Sequence, residues 1–332
     1  MLKWLSVVYA VRALFSDITF RTLTVRPTEL GSLTFVRLRL LLTEQIRPFR
    51  FALVAFAPVR LSALNYKKTS ADTSGSLFAI VDERISVPCE ASLLQRGFEV
   101  IKLKADGRLG EAVASHTDMI LFRCANTFIG SQKYFEEHRE IFKKIKNSLP
   151  SFEFILSDEE VREEYPNDAI FNALKIGNKL FAKTDTVSRT ILNSAEEKGL
   201  EIINVKQGYP ACTTLAISND FAITADKGMA RTLSKHGISV LEISDSDKIK
   251  LPPYKNGFIG GAAGVFDKTV YFFGNLLSHP SGKIIDEALK AHGYESLSLD
   301  SSGDALFDLG GMILINTDRS GSSISPKNPK SE

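Results

Sequence analysis

Cysteine is scarce: the chain has three in 332 residues. So few exclude a disulfide scaffold. Long apolar runs are missing too; no stretch of 18 apolar residues occurs, which excludes a transmembrane helix. No Cys/His spacing matches a zinc site, so no metal is expected. No Gly-x-Gly-x-x-Gly or Walker A pattern follows a predicted strand, and no cofactor is expected. No Lys/Arg cluster interleaves with aromatics, so nucleic acid is not an expected partner. What is there is ordinary: 44% hydrophobic and 24% charged residues, enough apolar surface for a core.

The net charge of +2 hides an asymmetry. Residues 1–75 hold eleven Lys/Arg against four Asp/Glu, leaving thirty basic and thirty-five acidic residues for the rest. This Arg-rich leader has no clean period of 2 or 3.6. Three readings stay open: a secretory signal, a mitochondrial transit peptide, or a non-native leader translated from upstream of the true start. No Met lies between Met1 and Met119, so on the last reading the start uses another codon. Lys67–Gly75 reads as a linker. The expected organisation is therefore a leader (1–75), one domain (76–316) and a disordered Ser/Pro-rich tail (317–332), with no membrane partner, a cytoplasmic location and an open oligomeric state.

From Leu77 onward the chain repeats. Four segments share one form: a helical pattern, a Gly, then a β-rich run. The glycines are Gly97, Gly199, Gly237 and Gly293. A helix commonly ends with Gly in the left-handed conformation, after a basic last turn that suits the helix dipole. A fifth unit runs from Lys133–Asn147 to Phe152–Leu156. Hairpins lie between the helical units, with turns at Ala125-Asn126, Gly177-Asn178, Asn219-Asp220 and Asp267-Lys268. A last hairpin needs two halves, Gly311–Asn316 and Leu77–Val81. Five copies at periods of roughly 40–50 residues point to a propeller or a solenoid. The expected fold is α/β: a five-bladed α/β propeller of hairpin-helix-strand units, with the ring closed by the N- and C-terminal strands of the core. A doubly wound sheet predicts single strands between helices, whereas here the helices alternate with strand triplets.

Four motifs carry a resemblance. Val205-Lys-Gln-Gly-Tyr-Pro-Ala-Cys-Thr-Thr214, Phe221-Ala-Ile-Thr-Ala-Asp-Lys-Gly228, Gly257-Phe-Ile-Gly-Gly-Ala-Ala-Gly264 and Phe273-Gly-Asn-Leu-Leu-Ser-His-Pro280 resemble an uncharacterised bacterial family of the guanidino-group-modifying (pentein) fold. The resemblance covers about residues 77–316. It implies a Cys-dependent hydrolase or amidinotransferase acting on a small cationic guanidino-type ligand, with Cys, His and carboxylates at the ring centre. The same architecture also occurs in a ribosome-binding initiation factor, so a non-catalytic binding module is the alternative.

Cys212, after Gly208-Tyr-Pro-Ala, is the candidate nucleophile; a buried structural thiol is the competing reading. The enzymes it resembles carry their Cys in the last repeat, where Asp308–Ile315 here has neither Cys nor His. Of five histidines, His236 and His292 fit helix ends, His138 a core edge and His116 the turn before a hairpin. His279 is preferred as the acid/base partner, with an N-cap role as the alternative. Asp226 and Asp308 close strand segments and are the candidates for holding a guanidinium, although Asp226 also suits a helix N-cap. Gly260 and Gly261 either let backbone approach a ligand or serve tight packing.

Overall fold

The computed structural model describes residues 76–244 and 248–317. The Arg-rich leader and the tail beyond residue 317 lie outside the described residues. The chain opens with β1 (Leu77–Asp82), α1 (Val87–Gln95) and β2 (Phe98–Leu103). A helical turn α2 (Thr117–Ile120) leads into the hairpin β3 (Phe122–Cys124) and β4 (Thr127–Ser131). Helices α3 (Gln132–Glu137) and α4 (Arg139–Ser148) and strand β5 (Glu153–Ser157) complete that unit. Next come β6 (Leu174–Ile176), β7 (Lys179–Ala182), α5 (Arg189–Glu197) and β8 (Glu201–Asn204). The fourth unit is α6 (Pro210–Thr213), β9 (Thr214–Ala216), β10 (Phe221–Thr224), α7 (Lys227–Lys235) and β11 (Ser239–Glu242). After β12 (Ile249–Lys250), the fifth has β13 (Ala263–Phe266), β14 (Thr269–Phe272), α8 (Gly282–Ala291) and β15 (Glu295–Ser298). Strands β16 (Leu306–Phe307) and β17 (Ile313–Asn316) close the described chain.

Five three-stranded sheets result, ordered β17-β1-β2, β3-β4-β5, β6-β7-β8, β9-β10-β11 and β13-β14-β15. In each, the middle strand runs antiparallel to the leading one and parallel to the third. A parallel neighbour needs a crossover connection, which the helix supplies. The first sheet joins both ends of the domain, with Leu77 opposite Asn316 and Ile80 opposite Ile313. Among the described residues the sheets remain separate, and none closes on itself.

Local chemistry explains the repeat. Ser86, Ser188 and Asp226 cap α1, α5 and α7, accepting from the backbone N–H of Cys89, Thr190 and Met229. Gly97, Gly199, Gly237 and Gly293 end the helices at φ of +66° to +85°, where a side chain is strained. Each unit pins a helix to its sheet with at least one aliphatic at 0% exposure: Leu93, Ile145, Ile191, Leu233, and both Ile285 and Leu289. Each contributes about 1.5–3 kcal/mol by leaving water.

Three details differ from the sequence pattern. The expected helix over Lys133–Asn147 breaks at His138, whose backbone leaves the helical region and whose ring lies 4.4 Å from that of Tyr134. Cys212 sits inside a helical turn, α6, that the hairpin-helix-strand pattern does not include. A small parallel ladder, β12 with β16, has no counterpart in the repeat. It anchors the loop of residues 251–258: Gly257 N–H donates to Ile249 O (2.7 Å) and Asp308 N–H to Lys250 O (3.0 Å).

Candidate active site

The segments just before the leading strands of all five sheets meet. A cycle of hydrogen bonds links them in turn. Asp118 N–H donates to Gly310 O (3.2 Å), Gly311 N–H to Gly261 O (2.8 Å) and Gly261 N–H to Cys212 O (3.2 Å). Ala211 N–H donates to Asn172 Oδ1 (2.9 Å), and Asn172 Nδ2 donates to Asp118 O (3.2 Å), completing the cycle. On one side lies a cavity of about 330 Å³, lined by residues of β3, β6, β9, β13 and β17. On the other side a cavity of about 240 Å³ holds Cys212, His116, Asp308 and Asp168. Apolar walls and Tyr209, Tyr254 and Phe258 complete it.

Cys212 Sγ donates to Asp118 Oδ2 at 2.8 Å and receives a hydrogen bond from Asn172 Nδ2 at 3.1 Å. Burial pushes the thiol pKa well above its ordinary value, and the charges of Asp118 and Asp308 push it further. Asp118, at the first turn of α2, is raised to about 6 by burial, partly offset by hydrogen bonds from Cys212 and Asn172. Asp308 is raised to about 7 by burial and by the charge of Asp118. It is nonetheless held firmly: Oδ2 accepts from Phe258 N–H (2.8 Å) and Oδ1 from Gly310 N–H (3.1 Å).

His116 is 1% exposed and lies 3.9 Å from three carboxylates, those of Asp82, Asp118 and Asp308. Neither ring nitrogen has a hydrogen-bond partner. Burial lowers its pKa to about 4, against the opposing pull of Asp82. Asp82 itself ends below the usual carboxylate range. Burial raises it, but hydrogen bonds from Arg84 and Ser115 outweigh that. Asp168 lines the same cavity: its Oδ2 accepts from Tyr209 O–H at 2.7 Å, while its buried Oδ1 has no partner. Burial raises its pKa.

Of the residues singled out in the sequence, Cys212 and Asp308 come together at this cavity. His279 does not line it; it is 2% exposed, and its Nδ1 accepts from Ser281 N–H (3.1 Å) at the start of α8. Asp226 lies elsewhere as well. Its Oδ1 caps α7 through Met229 N–H (2.8 Å), and its Oδ2 accepts from Gln207 Nε2 (2.6 Å). Gly260 and Gly261 pack behind the site. A Cβ on Gly260 would collide with the Ala211 and Cys212 carbonyls, and one on Gly261 with the Asp308 carboxylate.

Sequence reasoning missed His116, Asp118, Asp168 and Asn172. Their one signal was position. Ser115-His-Thr-Asp118 and Asn172 place polar side chains just ahead of a leading strand, as Cys212 does. Among the described residues, no helix is long and apolar enough to cross a membrane, and no His/Cys/Asp/Glu group could hold a metal ion.

Residues 80–313 match a family of unknown function, DUF6873. No curated protein matches the chain. Among solved structures, the chain is similar to SxtG, an amidinotransferase from Microseira wollei in the saxitoxin biosynthetic pathway. The TM-score is 0.47 at 12% identity, covering 77% of this chain and 98% of that one. A mutant of DDAH from Pseudomonas aeruginosa complexed with citrulline gives a TM-score of 0.45 at 10% identity, covering 70% and 96%. The inosamine-phosphate amidinotransferase STRB1 from Streptomyces griseus gives 0.45 at 14%, covering 70% and 78%.

Proposed function

Because the chain belongs to this family of unknown function, its activity has to be read from the cavity, and we propose a Cys212-dependent hydrolase or transferase acting on C–N bonds of a small guanidino or amidino compound. The carrying observation is one thiol, one unpartnered histidine and two carboxylates, Asp168 and Asp308, lining a single cavity, with Asp118 hydrogen-bonded to the thiol from behind it. We also propose that the five sheets form a five-bladed propeller ring. The hydrogen-bond cycle and the pairing of β1 with β17 support it.

The chemistry follows from charge. Without a cation, the thiol is held protonated by burial and by two acids. A guanidinium entering beside Asp308 neutralises that field and brings the thiol pKa down. Sγ then bonds to the guanidinium carbon while its proton passes to Asp118 Oδ2, and the C=N electron pair moves onto nitrogen. The C–N bond to the leaving amine breaks, and the amine departs with a proton carried through His116, 3.9 Å from Asp118. Water, or an acceptor amine, adds to the S-amidino carbon and gives up a proton to the carboxylate cluster. The S–C bond breaks and the thiol returns.

In this reading His116 takes the acid/base role for which His279 was the sequence candidate, and Asp226 serves α7 rather than the ligand. A non-catalytic binding module keeps one supporting observation, the full burial of the thiol beside two acids, which pushes its pKa up. Incubation with a panel of guanidines, followed for ammonia or a ureido product, separates the two. Turnover lost in Cys212→Ala supports the enzyme. Turnover that survives the change removes Cys212 as nucleophile.

A further inference from the structure

We infer that the cavity takes a guanidine bearing a second N–H cation and no carboxylate, an aminoalkylguanidine rather than an amino acid. This inference rests on the guanidino function proposed above and names its substrate class.

The lining is built from acceptors. Asp168 Oδ1 and Asn256 Oδ1 are buried with no hydrogen-bond partner, so both await a donor. Buried polar atoms left so cost free energy unless a ligand satisfies them. Asp308 adds a further carboxylate, with each oxygen already accepting one backbone N–H and keeping a lone pair. No lysine or arginine lines the cavity among the described residues. Arg84, whose charge reaches Asp308, is committed elsewhere. It forks onto Asp82 (2.6–3.2 Å) and donates to Glu111 O (3.2 Å). A substrate α-carboxylate would therefore meet Asp168 and Asp308 with no cation to answer it, a like-charge arrangement that rejects such ligands.

A guanidinium uses one part of this surface. Asp168 is the surplus. It is 9% exposed, stands outside the Cys212–Asp118 hydrogen bond, and is held by Tyr209, the residue opening α6. An ammonium on the same ligand as the guanidinium would satisfy its free oxygen. The exposed rings of Tyr254 and Phe258 at the rim offer faces to the connecting chain and to the cation.

The test uses the full chain carrying Cys212→Ser, which keeps a donor to Asp118 and stops turnover. Agmatine, n-butylguanidine and arginine are titrated calorimetrically at pH 7.5. Agmatine should bind at least about tenfold tighter than arginine, and clearly tighter than butylguanidine, which has the same chain length but one charge. Adding Asp168→Asn should bring agmatine down to the affinity of butylguanidine. Butylguanidine itself should change by less than about twofold, which also reports that the site still folds. Arginine binding as tightly as agmatine overturns this inference and leaves the guanidino reading standing. An agmatine advantage undiminished by Asp168→Asn overturns the role of Asp168. If no guanidine binds, the guanidino reading falls, and this inference with it.

Discussion

Replacing Asp308 by Asn should make the ligand-free protein relatively more stable as the pH rises. Asp308 titrates near 7 in the folded chain and near 3.8 when unfolded. A raised acid binds its proton more tightly when folded. Its contribution is fully present below about pH 3.8 and is lost as the pH rises through about 7. At 1.36 kcal/mol per pH unit, the loss totals about 4 kcal/mol. About 3 kcal/mol of it falls between pH 5 and pH 8. Asn cannot ionise, so the variant escapes that loss. It brings a fixed cost instead. Both oxygens of Asp308 accept a backbone N–H, and the Asn amide nitrogen cannot, which leaves one buried donor unpaired at about 1–3 kcal/mol. The variant should thus be near or below wild type at pH 5 and above it at pH 8. Urea unfolding of both proteins at pH 5, 6, 7 and 8 measures this. The stability difference should move by about 3 kcal/mol in favour of the variant. A difference that stays constant over that range refutes the account of the site as a strained acid cluster. His116 acts in the opposite direction. Its lowered pKa removes stability as the pH falls from 6.5 towards 4. That term is common to both proteins and cancels in the difference.

Three further outcomes follow from the same geometry. Neutral iodoacetamide should label Cys212 slowly below pH 9, whereas a haloacetamidine, which carries its own cation into the cavity, should label it at least about tenfold faster; equal rates would remove the cation-assisted thiol. Gly261→Ala should lose turnover and about 1–3 kcal/mol or more, because its Cβ enters the Asp308 carboxylate, while Gly97→Ala, whose Cβ meets open space at φ +85°, should cost only about 1 kcal/mol and keep activity. Thermal unfolding and product assays compare the two. His116→Ala should abolish turnover as completely as Cys212→Ala; if His279→Ala does so instead, with the fold intact by circular dichroism, the acid/base assignment moves to His279.

What the sequence revealed follows from how local each cause is. Helix ends such as Gly199 and Gly237 are decided within a few residues by capping and left-handed backbone, so the hairpin-helix-strand units could be read directly. The turn at Gly177-Asn178 is equally local. The pairing of β1 with β17 is long-range, yet legible, because the repeat left one hairpin half at each end. The site was legible only in part, through Cys212 and Asp308. Asp118, Asp168, Asn172 and Cys212 lie ahead of the leading strands of three separate sheets, and no spacing along the chain encodes their meeting. Helical turns of four residues, α2 and α6, are too short to show a period, so nothing in the pattern sets Asp118 and Cys212 apart. Asp226 and His279 attract attention by lying in family-like motifs, but their own hydrogen bonds serve helix starts.

The hydrogen-bond cycle around Cys212 has a consequence for folding. Its members are spread from Asp118 to Gly311, so no contiguous part of the chain can assemble the site. Loop-closure entropy must be overcome across almost the whole domain before the cavity exists, which makes the site a late and slow event. A nascent chain that has not yet presented Asp308 and β17 has its thiol, Asp118 and Asp168 but lacks the last carboxylate of the cluster. Ligand affinity therefore reports completion of the whole domain, and a bound cation stabilises all five units at once rather than any one of them.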